Sequence, residues 1–280
     1  MDLAGRLSAC TRAWHLRAGS RLDGGFRSEV VGCTTADGQE VVVKLTVTPE
    51  EAHAEAAALA AWERTGAAVR LIDADLEHSA LLLERVRPAT HLPGGGDPVA
   101  IQVAVGLLGR LHQTPPATFP FPALEQIYLG MEGQALDDAD HEQRASGDPT
   151  RGAPGLERLD AARATAMKLC ETTRRAVLLH GDFLDKNLLR GGAGYIAIDP
   201  IPCLGDPCSD VGFFAAGHPP AATILRRADT VAAQMDLDRH RARQWAVIWA
   251  VLQTCQAWRE DQSELEACLS GNEFARLIRQ

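Results

Sequence analysis

The chain has 280 residues, of which 46% are hydrophobic and 23% charged, values typical of a globular protein with room for one large or two modest domains. Its net charge of -9 argues against a nucleic-acid partner and is compatible with a cationic one. There is no signal-peptide pattern and no run of 18 apolar residues, so we expect action in the cytoplasm without a membrane. The seven scattered cysteines lack zinc-ligand spacing and are expected to be reduced and mostly buried, and no protein partner is evident.

The segment from Trp14 to Leu45 carries β signals. Turns at Asp23-Gly24-Gly25 and Asp37-Gly38 divide it, which predicts three antiparallel strands. Gly24 and Gly25 could let backbone amides approach phosphate oxygens, although such a pair in a hairpin is more often only a turn. Ser28 could add a phosphate contact.

Lys44 lies on the third of these strands, between apolar neighbours, where the alternative is a solvated strand lysine. The next segment predicts a helix that begins with Thr48 as its N-cap and runs to about residue 64. Glu55 falls on the inward face of this helix. A carboxylate buried without a cation is costly, so Lys44 is its expected partner, and Glu51, one turn earlier, is the competing choice.

Two further strands, at Val69–Asp73 and Ala80–Glu84, would complete a five-stranded sheet with one helix, followed by a hinge at Glu84–Pro88. Beyond residue 97 helical patterns dominate. The predicted helices cover residues 98–112, 124–141, 156–173, 221–234, 238–258 and 263–278.

Between the third and fourth of these helices lies the stretch that carries chemistry. His180-Gly181-Asp182 follows an apolar run, Asn187 comes five positions after Asp182, and a short β-type run ends on Asp199. Mg²⁺-assisted phosphoryl transfer needs this set: Asp182 to orient and deprotonate an attacking hydroxyl, and Asn187 and Asp199 to supply oxygen ligands to the metal. Alternatively, these residues cap turns and close a strand.

The ordered set resembles the catalytic loop of aminoglycoside phosphotransferase-like antibiotic kinases, with His-Gly-Asp in place of the protein-kinase His-Arg-Asp. Ala197-Ile198-Asp199-Pro200, Leu204-Gly205-Asp206-Pro207 and Asp210 are similar to the branch that contains streptomycin 6-phosphotransferases and hydroxyurea phosphotransferases. The resemblance implies an α+β, bilobal protein-kinase-like fold. Its N-terminal nucleotide-binding lobe, residues 1–86, would hold the five-stranded antiparallel sheet with one helix, and residues 87–280 would form a mainly helical lobe with the catalytic loop and acceptor site.

The resemblance also implies cofactors and residue roles. ATP or GTP with Mg²⁺ is expected, with Lys44 on the phosphates and paired with Glu55, and with the backbone of Glu84 and Val86 at the adenine. Asp210 would brace the amides of the catalytic loop. Lys186 could neutralise the transferring phosphoryl group or be a solvated lysine.

The implied activity is inactivation of a small hydroxyl-bearing antibiotic, with a streptomycin-like aminoglycoside favoured. A viomycin- or capreomycin-type peptide, hydroxyurea, or a catalytically silent kinase-like binding protein are the alternatives. Phe183-Leu184-Asp185 stands where streptomycin-type members tend to carry histidines, which leaves the acceptor open. A cationic acceptor could be held by acids of the second lobe that otherwise form solvated faces: Asp137, Asp138, Asp140, Glu260 and Asp261.

Overall fold

The computed structural model describes residues 2–22, 28–93, 98–116, 119–147, 156–217, 221–255, 263–269 and 271–278. The chain divides into two compact units. The first unit contains Met1–Leu92, Pro116–Pro120 and Lys186–Pro202, and the second contains Pro93–Pro115, Phe121–Asp185 and Cys203–Gln280. Four candidate site residues lie outside the described ranges: Gly24, Gly25, Glu260 and Asp261.

The first unit is built on a five-stranded antiparallel sheet, as the sequence predicts. Its strands are β1 (Arg17–Arg21), β2 (Glu29–Thr34), β3 (Glu40–Leu45), β4 (Leu71–Asp75) and β5 (Ala80–Glu84), in the order β1-β2-β3-β5-β4. β3 is the central strand, and every residue from Val41 to Leu45 on it is buried. A strand that is buried on both faces usually has a continuous run of apolar residues, so a lysine at position 44 is unusual.

A helix that the sequence patterns did not predict precedes this sheet. Helix α1, Leu3–Ala13, begins with the Asp2 carboxylate accepting the Gly5 N–H at 2.9 Å. Cys10, Leu7 and Trp14 pack against the buried side chains of β2, β3 and β5. Trp14 is the C-cap of this helix, so the first strand begins at Arg17 and not at Trp14 as expected.

Helix α2, Pro49–Trp62, confirms the first predicted helix and its start with Thr48 as N-cap. Thr48 and Glu51 form a capping box, in which each side chain accepts from the backbone N–H of the other. The buried face includes Glu55, Leu59 and Trp62. Glu51 is thus engaged at the helix end, and Glu55 is the carboxylate that this helix buries.

The first unit also includes a three-stranded sheet of β6 (Thr90–His91), β8 (Leu188–Gly191) and β9 (Gly194–Ala197). β8 and β9 form a hairpin in which Leu188 lies opposite Ala197. This register brings the two ends of the hairpin together, and the Ile198 N–H donates to the Asn187 carbonyl oxygen at 2.9 Å. Asn187 and Asp199 therefore belong to one local structure.

The second unit is mainly helical. Its helices are α3 (Pro98–Leu111), α4 (Leu124–Ser146), α5 (Leu159–Glu171), α6 (Pro207–Ala216), α7 (Ile224–Gln234), α8 (Arg239–Cys255), α9 (Ser263–Leu269) and α10 (Asn272–Leu277). The predicted helix over 263–278 is two helices, because Gly271 starts a new one. The helix predicted to end at residue 141 runs to Ser146.

Helix α8 lies at the centre of the second unit, where every residue from Gln244 to Cys255 is buried. Helix α6 packs against it so closely that a Cβ on Gly212 would lie 2.6 Å from the Trp245 backbone. Strands β7 (Val177–Leu179) and β10 (Cys203–Gly205) pair antiparallel beside these helices. His180 directly follows β7 at one end of this pair, and the N-cap of α6 directly follows β10 at the other end.

Among the residues that the structure describes, no helix combines the length and the apolar character needed to cross a membrane.

Candidate active site

In the first unit Lys44 is the centre of a buried ion cluster. Its Nζ lies 2.5 Å from Glu55 Oε2 and 2.5 Å from Asp199 Oδ1. The Lys44 and Glu55 side chains are 6% and 4% exposed, whereas that of Asp199 is 34% exposed. The predicted Lys44–Glu55 contact is present, and the cluster opens towards solvent through Asp199.

The cluster holds two carboxylates and one ammonium group. Burial disfavours a charged Lys44, but the carboxylates of Asp199 and Glu55 outweigh burial and raise the pKa of Lys44 above its ordinary value. Burial raises the pKa of Glu55 to about 7, with Lys44 opposing the rise and Asp199 adding to it. Lys44 is therefore a firmly protonated cation, and the cluster has an excess of negative charge once Glu55 ionises.

Asp199 is held in an unusual backbone conformation. Its φ of 57° is in the left-handed region, which a non-glycine residue adopts rarely and mostly at functional or strained positions. It follows β9 directly, and Asn187, at the other end of the hairpin, is 3% exposed. The carboxylate and carboxamide at these hairpin ends are hard oxygen donors, the kind that suits Mg²⁺.

In the second unit Asp210 organises the backbone of the loop that precedes Asp182. Its Oδ2 accepts the His180 N–H at 2.9 Å, and its Oδ1 accepts the Gly181 N–H at 2.9 Å. His112 Nε2, at the end of α3, lies 2.9 Å from Asp210 Oδ2. Burial would raise the pKa of Asp210, but the His112 hydrogen bond and the Gly181 amide outweigh it and hold the pKa below its ordinary value.

Asp182 follows this anchored turn directly. Its backbone N–H donates to His180 Nδ1 at 3.3 Å, its carbonyl oxygen accepts the Leu184 N–H at 2.9 Å, and its side chain is half-buried. The His180 ring lies against the Phe183 ring with centroids 5.5 Å apart. The buried His180 ring therefore stabilises the loop through its contacts with the Asp182 backbone and the Phe183 ring. Phe183, with 0% exposure, is part of the core of this unit.

Sequence reasoning missed His112. It lies 98 positions before its partner and directly ahead of a proline-containing segment, so no local motif marks it. Asp206 is the N-cap of α6, where its carboxylate accepts the Cys208 N–H at 3.0 Å. Arg241 and the Trp245 indole also donate to Asp206, so it fixes α6 to α8.

The remaining nucleotide-side candidates lie in the first unit. Glu84 Oε1 accepts the Arg70 N–H at 2.9 Å, so this side chain links the end of β5 to the residue that precedes β4. Val86 is buried, and Ser28 and Lys186 are half-buried. Roles of the Glu84 and Val86 backbone, and of Ser28, in nucleotide binding stay predictions.

Three of the five acidic residues proposed for the acceptor lie on α4. Asp137 is exposed, Asp138 Oδ1 accepts from the Gln134 amide at 2.8 Å, and Asp140 pairs with Arg144 at 2.7 Å. Surface pairs of this kind contribute little to stability. Asp137 and Asp140 are exposed and accessible to a cation, whereas Asp138 is half-buried with one carboxylate oxygen enclosed. A role of the three residues with an acceptor stays a prediction.

A family model described as aminoglycoside/hydroxyurea antibiotic resistance kinase matches residues 13–262. The chain belongs to this family. It is 32% identical to the hydroxyurea phosphotransferase of Kitasatospora aureofaciens over 274 residues, which covers 94% of this chain and 75% of that protein. It is also 32% identical to the streptomycin 6-kinase of Streptomyces griseus over 255 residues, which covers 86% of this chain and 78% of that protein.

The fold of this kinase is also found in solved structures. A thermostable mutant of an aminoglycoside phosphotransferase, in a ternary complex with ADP and hygromycin B, matches with a TM-score of 0.58 and 15% identity over 97% of each chain. The predicted kinase-like fold, a five-stranded antiparallel sheet with a mainly helical remainder, is confirmed. The protein is a nucleotide-using small-molecule phosphotransferase of the antibiotic-inactivating type, and the catalytically silent alternative is set aside.

Proposed function

We propose that this kinase transfers the γ-phosphoryl group of ATP, with Mg²⁺, to a hydroxyl group of a streptomycin-like aminoglycoside. The observation that carries the proposal is the contact of one buried lysine with two carboxylates, Glu55 and Asp199. A lysine fixed in this way on a central strand suits the phosphates of a nucleotide. The use of ATP and the seven free cysteines favour action in the cytoplasm.

On the nucleotide side, Lys44 supplies a fixed positive charge to the α- and β-phosphates. Glu55 holds the ammonium group in place, so little reorganisation is needed when ATP arrives. The oxygen donors of Asn187 and Asp199 would hold Mg²⁺, which when bound neutralises charge on the nucleotide phosphates. The Lys44–Asp199 contact would position the Asp199 carboxylate for that ligand role.

On the acceptor side, Asp182 orients the acceptor hydroxyl and accepts its proton. The acceptor oxygen forms a bond to the γ-phosphorus while the bond from that phosphorus to the ADP oxygen breaks. Asp210 and His112 act through the loop, because they fix the His180 and Gly181 amides that precede Asp182. Positioning of this kind is a large share of phosphoryl-transfer catalysis.

The acceptor is proposed to be cationic. The net charge of -9 raises the local concentration of a cation, and the exposed carboxylates of Asp137 and Asp140 on α4 offer direct partners, with Asp138 half-buried between them. Streptomycin carries guanidinium groups that could pair with carboxylates in a bidentate way. Hydroxyurea is the second candidate acceptor, because the phosphotransferase named for it covers 94% of this chain.

The test is an ATP-consumption screen with the full chain, Mg²⁺, and streptomycin, hydroxyurea, viomycin or capreomycin as acceptors. Mass spectrometry should find one added phosphate on streptomycin, formed at least about a hundredfold more slowly with the Asp182→Asn variant. Phosphate found on hydroxyurea alone would support hydroxyurea as the acceptor and contradict streptomycin. Phosphate found on neither compound would contradict both candidates.

A charge-reversal pair tests the acceptor contact. Asp137→Lys should raise the KM for streptomycin several-fold and leave the KM for ATP unchanged. Glu77→Lys makes the same change of net charge at an exposed position of the first unit and is the matched control. Equal effects of the two variants would mean that only the overall charge matters.

A further inference from the structure

Three side chains with metal-binding atoms converge in the first unit, apart from the Lys44 cluster. Cys10 belongs to α1, Asp75 ends β4, and His78 lies in the turn between β4 and β5. Asp75 Oδ2 lies 2.8 Å from His78 Nδ1 and 3.8 Å from Cys10 Sγ, and all three ligand atoms are within 4.8 Å of one another. A thiol, an imidazole and a carboxylate thus share one small volume.

Neighbouring contacts hold the three side chains in this arrangement. The second oxygen of Asp75 accepts the His78 backbone N–H at 3.1 Å, which fixes the turn. The Arg6 guanidinium of α1 donates to the carbonyl oxygens of His78 at 2.8 Å and Ser79 at 3.0 Å. The helix that carries Cys10 is therefore tied to the turn that carries His78, independently of the three ligand atoms.

The donor set selects the kind of ion. Sulfur, imidazole nitrogen and one carboxylate oxygen are ligands of Zn²⁺, whereas Mg²⁺ prefers an all-oxygen shell. Cys10 is buried, and the side chains of Asp75 and His78 are each 22% exposed, so solvent can reach the cluster from one side. We propose that Cys10, Asp75 and His78 bind a zinc-type divalent cation, with water as the fourth ligand, that links α1 to the β4–β5 turn.

The geometry needs an adjustment that side chains can make. Zinc bonds of about 2.0–2.3 Å at tetrahedral angles separate neighbouring ligand atoms by about 3.3–3.6 Å. The contacts of 2.8 and 3.8 Å to Asp75 bracket this range and each has to change by about half an ångström or less. The third pair, Cys10 Sγ and His78 Nδ1, lies within 4.8 Å and has to close by about 1.3 Å at most. Side-chain rotation of His78, on a hairpin turn, can supply that change.

The protons also balance. Burial and the Asp75 carboxylate raise the pKa of the Cys10 thiol to about 11, so the metal-free thiol keeps its proton at neutral pH. On binding, sulfur bonds to the cation and the thiol proton passes to solvent. The imidazole binds through Nδ1 as its Nε2–H tautomer. Thiolate and carboxylate charges then cancel the double positive charge of the ion.

Cobalt provides the direct test, because a thiolate bound to Co²⁺ gives a charge-transfer absorption that oxygen ligands do not. The full chain, freed of metals with a chelator and kept in a phosphine reductant, should develop this band on Co²⁺ addition. Zn²⁺ should remove the band by displacement, and a large excess of Mg²⁺ should not. Absence of the band at saturating Co²⁺, or its loss on Mg²⁺ addition, would overturn the proposal.

Matched variants identify the ligands. Cys10→Ser should abolish the band, whereas Cys33→Ser, a buried cysteine of the same hydrophobic cluster, should keep it. His78 lies in a half-buried turn, where Gln should not disturb folding, and His78→Gln should weaken Zn²⁺ binding by more than about tenfold. His53→Gln, at an exposed histidine of α2, is the control and should not change Zn²⁺ affinity. A band that survives Cys10→Ser, or wild-type Zn²⁺ affinity in His78→Gln, would contradict the assignment.

Discussion

Glu55→Gln is expected to stabilise the first unit above neutral pH while it lowers activity. Glu55 is fully buried and shares the single ammonium of Lys44 with Asp199. Burial raises its pKa from 4.5 to about 7, which means that the folded protein resists its ionisation. Gln has nearly the same shape and no charge to bury, and it leaves Lys44 paired one-to-one with Asp199.

The size of the effect follows from the pKa difference. A group whose folded pKa is raised contributes stability that is fully present below its unfolded pKa and is lost as pH rises through the folded value. The window here is about pH 4.5 to 7, and the rise of the Glu55 pKa from 4.5 to about 7 corresponds to about 3 kcal/mol. The free energy of unfolding of wild type should therefore fall by about 3 kcal/mol across this window relative to Glu55→Gln.

The assay is urea denaturation without nucleotide or divalent cation at about pH 5 and pH 8, followed by hydrogen exchange of the β3 amides, which report on the first unit. The two proteins should be similar at the lower pH, with the variant more stable at the higher. Its kcat should fall at least about tenfold, because Lys44 loses a charged anchor.

Glu51→Gln is the matched control for this experiment. It lies one turn earlier on α2 and belongs to the capping box, which accepts Gln as well as Glu. It should leave kcat unchanged and alter the pH dependence only slightly, because the Glu51 charge is the smallest contribution to the raised pKa of Glu55. If Glu55→Gln were several kcal/mol less stable than wild type at the higher pH, or equally sensitive to pH, the reasoning about the buried cluster would be refuted.

Three further results are expected. Asp182→Asn should lose at least about a hundredfold in kcat, while calorimetry finds ATP and acceptor affinities within several-fold of wild type; wild-type turnover would contradict the base role. Asp199→Asn should lose the part of ATP affinity that depends on Mg²⁺, measured by titration with and without the ion, and an unchanged Mg²⁺ effect would rule out the ligand role. Asp210→Asn leaves the His180 and Gly181 amides with a weaker acceptor and should cost about 3–5 kcal/mol of unfolding free energy in urea at neutral pH. Because the folded pKa of Asp210 is lowered, its contribution is present above the ordinary value of 3.8 and is lost as pH falls through the folded pKa. A difference from wild type that stays constant down to acid pH would be inconsistent with that account.

The ion pair of the first unit could be predicted from sequence, because helical periodicity and capping chemistry are both local. Thr48, Pro49 and Glu51 mark the start of α2, and the start fixes the face on which Glu55 lies. An apolar strand then leaves Lys44 as the only reasonable partner. The second carboxylate of the cluster, Asp199, was expected as a metal ligand, and its contact with Lys44 spans 155 positions of sequence.

The features that sequence reasoning missed are brought together by tertiary contacts. His112 meets Asp210 because α3 ends beside the paired strands β7 and β10. Cys10 meets Asp75 and His78 because α1 packs on the sheet, and α1 itself has only a few apolar residues amid β signals. No spacing rule could have connected residues 65 positions apart.

The close approach of Gly212 to Trp245 has a consequence for how this kinase can move. Side chains usually separate the backbones of packed helices, and shear motions in proteins are small sliding movements at such interfaces. Between α6 and α8 no side chain separates the two backbones at this point, because a Cβ on Gly212 would already overlap the Trp245 backbone. We therefore expect the two helices to move as one rigid body. Asp210, two positions before the glycine on α6, would move with them. A conformational step that repositions the turn at His180 and Gly181 would therefore move both helices together, and would not shift one helix along the other.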